Sequence, residues 1–182
     1  MVGKRINCCG NVYGDIVRQT AGSGDIIKNA VRVMTGRSVT VSGRTFAKGI
    51  AAYDAWKNAI LDAAEFPKNA VLPILAERIM CHGDAMDCLA DGRHKAALYM
   101  KRISEELPEF NDACISAHEQ FLKVTANIWK MAEVLGGYDR NELQMQNLAK
   151  PEVRQQLAEL IDKCKKADIA ALDSLKYIAD HI

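Results

Sequence analysis

The sequence predicts an all-α protein: a multi-helix antiparallel bundle of five or six helices, preceded by a short irregular N-terminal segment. Three observations carry this. First, Leu75, Ile79, His82, Met86, Leu89, Arg93, Ala96, Met100 and Ile103 follow one another at alternating steps of four and three, the spacing of a buried helix face. Second, Phe110, Cys114, Ala117, Phe121, Val124, Ile128, Met131 and Leu135 repeat that spacing. Third, Pro67, Pro108, Gly136-Gly137 and Pro151 separate the periodic runs, where helices are expected to stop and restart.

Residues 1–22 lack helical periodicity and are spaced with Gly3, Gly10, Gly14 and Gly22; Lys4 to Cys9 reads as a short strand. Residues 23–182 form the bundle domain. Ser23 and Asp25 open a helix that runs to Met34, with Gly36 as its C-terminal cap. Val39 and Val41 alternate with polar residues in a short extended link ending at Gly43. Thr45 then starts a second helix, with Phe46, Ile50, Tyr53 and Ile60 on one side and Pro67 at its end.

The third helix extends from about Leu72 to Leu107, and Pro108 stops it. Its interior glycines, Gly83 and Gly92, each cost about 1 kcal/mol relative to alanine. They imply a bend, a break into two helices, or a close approach by a neighbouring group or ligand. The fourth helix ends at Gly136. Asn141 caps a short helix to Leu148, and Pro151 opens the last one, with Val153, Leu157, Ile161, Cys164, Leu172, Leu175 and Ile182 as its apolar residues.

The 182 residues carry 24 basic and 23 acidic side chains, a formal charge of +1 with no dense basic cluster, which argues against nucleic acid as a ligand. No run of apolar residues is long enough for a membrane span or a signal peptide. Of the six cysteines, Cys8 and Cys9 are neighbours and form no CxxC motif. Cys81 and Cys88 are seven residues apart on one helix, about 10 Å along its axis, too far to bridge. Cys114 and Cys164 fall in apolar repeats and read as small hydrophobes. This usage predicts a reduced, cytoplasmic protein.

His82 and Arg93 occupy seam positions where a bundle ordinarily places Leu or Ile. A buried Arg keeps its charge and needs a carboxylate; Asp54, Glu119 and Asp168 are the candidates. The two residues mark either an internal ion pair that fixes helix register or a polar pocket, which Tyr53, Trp56, His94 and Tyr99 would line. Asp84, Asp87 and Asp91 follow Glu77 along one stripe. With His82 and His118 these residue types suit a metal site in a bundle core, but the paired Glu-x-x-His spacing is absent and no metal is expected. Cys81 and His82 diverge by about 100° around the helix and cannot form a dyad; Cys81 or Cys88 would need His94 or His118.

Three segments carry a family resemblance: Gly49-Ile50-Ala51-Ala52-Tyr53-Asp54-Ala55-Trp56, the stretch from His82 to Ala97, and Pro151-Glu152-Val153-Arg154. Together they resemble the helical C-terminal region of bacterial proteins built like the butirosin-biosynthesis acyltransferase. In that family a papain-like cysteine domain, related to C39-type peptidases, precedes a helical portion. The resemblance implies a helical module that shapes a substrate pocket or a dimer interface. It places Tyr53, Trp56, His82, Asp84, Arg93 and His94 on the motif without assigning any of them a role. The residues before Ser23 are too few for the cysteine domain, so the family's chemistry is not expected from this chain alone.

The functional expectation is a ligand-binding or interaction module with a polar pocket around His82 and Arg93, drawing also on Tyr53, Trp56, Asp84, Asp87, His94 and His118. It needs no cofactor and performs no catalysis of its own. Its partners would be a small molecule, another protein or a second copy of the chain, with no nucleic acid or membrane. The alternative is a metal- or cysteine-assisted hydrolase or transferase with its site in the bundle.

Overall fold

The computed structural model describes residues 22–67 and 71–182. The strand expected at Lys4–Cys9, and Cys8 and Cys9 themselves, lie outside them. The described residues form an all-α bundle of six helices with one small hairpin: α1 (Ser23–Thr35), β1 (Ser38–Val41), β2 (Arg44–Ala47), α2 (Ala51–Leu61), α3 (Leu72–Glu106), α4 (Asn111–Leu135), α5 (Glu142–Ala149) and α6 (Pro151–His181). No helix among them is long and apolar enough to cross a membrane.

The helix seams are buried as their spacing implies, except that Leu89, Arg93 and Ala96 on α3 are only partly buried. On α3, Leu75, Ile79, His82, Met86, Met100 and Ile103 are buried; on α4 all eight seam residues are, counting Phe110 in the short 3-10 turn that precedes it. α4 packs on both α3 and α6 at the centre of the bundle. Asn141 caps α5 through a reciprocal pair of bonds with Gln144, and Gly136, at φ 93°, closes α4.

Two expectations change. The second helix spans Ala51–Leu61 rather than Thr45 to Pro67, because Arg44–Ala47 is a strand and the backbone turns extended at Asp62 (ψ 116°). Ser42 and Gly43 both take positive φ (50° and 75°), the two-residue turn that suits a tight hairpin, and Val39 then pairs with Phe46 and Thr40 with Thr45. Phe46 is accordingly half-exposed on a strand. Gly36 is no left-handed cap either, since its φ is −63°. The special backbone lies at Gly49, φ 59°, where an added Cβ would stand 2.3 Å from the Met34 carbonyl oxygen. The Ile50 amide donates to that same carbonyl, fastening the start of α2 to the end of α1.

α3 runs unbroken for 35 residues, about 52 Å, through both interior glycines. Gly83 admits Arg140, whose Nε would lie 2.5 Å from a Cβ there; nothing in the structure explains Gly92, which faces open space.

The apolar core falls into two blocks. One gathers Ile79, Met86, Val124, Ile128, Leu157 and Ile161; the other gathers Ile27, Met100, Ile103, Phe121, Leu172 and Leu175. Arg93 on α3 and Asp168 on α6 fall between the two blocks in both helices' sequences.

A second feature positions the site. α1 and α2 rest on α6 rather than on α3. Two ion pairs help to hold α2 there, Lys57–Asp162 and Lys165–Asp54, both with N···O distances of 2.6 Å. Space is therefore left between α3 and the α1–α2 pair.

Candidate functional site

The carboxylate that answers Arg93 is Asp168. Arg93 donates from Nε to Oδ1 at 2.7 Å and from Nη2 to Oδ2 at 2.6 Å, a two-pronged arrangement that matches the guanidinium fork. The Tyr53 hydroxyl adds a third bond, to Oδ2 at 2.7 Å. Asp168 is fully buried (0 % exposed), so these donors replace the water it has lost. Burial by itself would pull the Arg93 pKa down, but the bonds and charge of Asp168 outweigh it and hold the group above its ordinary value. Burial first, and Asp168 second, push the Tyr53 hydroxyl well above its usual range, so it remains a donor at any working pH.

His82 solves its burial differently. The Trp56 indole Nε1 donates to its Nδ1 at 3.1 Å, with the two rings 5.3 Å apart. An indole N–H can only donate, so Nδ1 accepts and the ring proton sits on Nε2. That Nε2 is buried without a partner among the described residues. Burial lowers the pKa from 6.5 to about 4, and the ring is neutral at physiological pH.

Two cavities open where α1 and α2 stand off from α3. One, of about 370 Å³, lies between Ala52 and Tyr53 on α2 and Ala85 and Leu89 on α3, with Trp56 and Arg93 also in its wall. The other, of about 460 Å³, continues between α1 and α3 over Ala30, Ala96, Met100 and Phe121. Val33, Met34 and Arg93 border both. Arg93 Nη1 has no hydrogen-bond partner among the described residues, and its guanidinium carbon stands 5.5 Å from the centre of the Phe121 ring. Tyr99, in the wall of the larger cavity, holds its hydroxyl buried and unpartnered among the described residues.

Of the residues singled out in the sequence, Tyr53, Trp56, His82 and Arg93 come together around this space. Asp84 and Asp87 do not; they lie on the exposed side of α3, where Arg140 binds both. His94 is exposed, and His118 bonds the Ala97 carbonyl at 2.8 Å, tying α4 to α3. No group of three or more His, Cys, Asp or Glu side chains among the described residues is placed to hold a metal ion. Cys81 and Cys88 are exposed, and no disulfide joins the described cysteines. Burial pushes the Cys164 thiol up to about 12, and Cys114 is raised for the same reason.

Sequence reasoning missed the contributions of α1 and of Arg140. It named Asp168 only as one of three partners for Arg93, although the residue has a clear signature. Leu157, Ile161, Cys164, Asp168, Ala171, Leu175 and Ile178 step by four and three, placing a carboxylate in the α6 seam as Arg93 lies in that of α3. No family model, curated protein or solved structure matches this chain.

Proposed function

We propose that this protein is a binding module that holds an apolar small molecule in the space between α1, α2 and α3 and performs no chemistry on it. The observation that carries this reading is Arg93. Its charge is already balanced by Asp168, yet Nη1 is uncommitted and the side chain borders two largely apolar cavities. A balanced guanidinium favours a hydrogen-bond acceptor on an otherwise apolar ligand over a highly charged one. Under the acyltransferase-like resemblance, the module would hold a substrate for chemistry done elsewhere, in a reducing, cytoplasmic setting.

Titration with prodan, an uncharged naphthalene fluorophore bearing one ketone acceptor, tests the reading. We expect saturable one-to-one binding that is lost in Ala85→Phe, which fills the smaller cavity without touching the ion pair, and weakened in Ala30→Trp. Unchanged binding in both filled variants, with their unfolding curves matching wild type, would rule out these cavities as the site.

A further inference from the structure

The hairpin stands exposed along both strands, with Val39, Val41 and Phe46 at 42 %, 54 % and 50 %. Its register fixes what each face carries. The Lys48 amide donates to the Arg37 carbonyl at 3.0 Å, which extends the ladder one pair beyond Ser38 and Ala47. One face therefore holds the pairs Arg37–Lys48, Val39–Phe46 and Val41–Arg44, and the other holds Ser38, Thr40, Thr45 and Ala47. Arg37, Arg44 and Lys48 have no ion pair among the described residues, and no carboxylate lies in the chain between Asp25 and Asp54. By the same alternation, residues 37, 39 and 41 turn their main-chain groups toward β2, while Ser38 and Thr40 turn theirs away. No main-chain partner meets those two residues among the described residues. The strand that packs on a helix is β2, on α2, so the open edge is that of β1.

We infer that the edge of β1 docks an extended acidic segment of another protein, which joins the hairpin as a third strand. Ser38 and Thr40 offer it a main-chain ladder, Val39 and Val41 an apolar stripe, and Arg37 and Arg44 select carboxylates toward its ends. Two strands with neither face covered make a marginal sheet, and a third adds both bonds and buried area. A second copy of this chain fits poorly, because it would bring the same cations to this face. A lipid surface or a nucleic acid would answer the charge, but neither offers the edge a main-chain ladder. No residue of either strand lines the cavities around Arg93, so this inference and the binding-module reading fail separately.

The end-blocked peptide Glu-Thr-Val-Thr-Val-Thr-Glu tests it, since alternation puts its valines on one face with a glutamate at each end. It is titrated into the ¹⁵N-labelled full chain beside the same peptide with lysine in place of glutamate. The expected result is saturable binding that shifts the Ser38 and Thr40 amide signals and slows their hydrogen exchange. The lysine peptide should bind about tenfold more weakly, as like charges then face each other. Val39→Ser, at an exposed position, should weaken the glutamate peptide about threefold, and Arg44→Glu should narrow the gap between the two peptides. Exchange at Ser38 and Thr40 that is already slow in the free chain would overturn the inference, because the chain would then cover its own edge. Equal affinity for the two peptides, no saturation, or shifts confined to other regions would overturn it as well. So would phosphatidylglycerol vesicles or single-stranded RNA that broaden the hairpin signals where the glutamate peptide leaves them unchanged.

Discussion

Along the flank that faces α4, α3 buries Ala97, Met100 and Ile103 among Cys114, Ala117 and Phe121, and the two helices close on each other by filling shape. Earlier on α3, over residues 78 to 93, the side toward α1 and α2 is bridged instead. Trp56 reaches His82, Arg78 reaches Glu65, and Tyr53 and Arg93 meet on the same oxygen of Asp168. Apolar side chains must interdigitate to gain their stabilisation, which draws backbones together. Polar bridges span a fixed length and hold the helices apart, and two cavities lie along that side. The difference explains how one helix serves as a core element and as the wall of a binding space.

If the bridges hold the open flank, Asp168→Asn has the largest effect. It leaves Arg93 charged with no counter-charge, and unfolding free energy in urea should fall by about 3–5 kcal/mol. Pairing Arg93→Met with Asp168→Leu should recover most of that loss. A single variant as stable as wild type would mean that the ion pair does not support this flank.

The next effect separates His82 from the ion pair. Its folded pKa of about 4 lies below the unfolded value of 6.5, so the unfolded chain binds the proton first as pH falls. This contribution to stability is complete above pH 6.5 and is lost progressively down to about pH 4, on the order of 3 kcal/mol in all. Unfolding midpoints measured across that window should slope for wild type, and the slope should flatten in His82→Leu. Equal slopes in the two proteins would remove His82 as the cause.

The smallest effect lies on the solvent side of α3, where Arg140 pairs with Asp84 and Asp87, whose side chains are 65 % and 58 % exposed. Arg140→Ala should cost less than about 1 kcal/mol, because exposed pairs gain little over hydration. A larger loss in thermal unfolding would show that the comparison understates what charge does on that surface.

How much of this was legible in the sequence can be traced residue by residue. The α3 and α4 seams, the α5 cap and the start of α6 at Pro151 all follow from local periodicity and capping chemistry. Thr45 and Phe46 misled because two β-favouring residues beside a helix-like apolar pattern are ambiguous until the Ser42-Gly43 turn pairs them with Val39 and Thr40. Arg93 announced a buried carboxylate, and the α6 seam held one, yet choosing Asp168 over Asp54 required the distance between helices. Trp56 and His82 were both visible; their bond was not, being 26 residues apart in the chain.

The sequence alone determined that this chain is helical, where most of its helices begin and end, and that a histidine and an arginine turn inward on the third. These depend on neighbours within a few residues, where backbone geometry sets every distance. Only the tertiary structure decided that α1 and α2 settle on α6 and leave α3 partly uncovered, that Asp168 receives Arg93, and that Trp56 bonds His82. Those outcomes depend on how whole helix faces compete for one another, and spacing along a single strand of sequence carries no record of that competition.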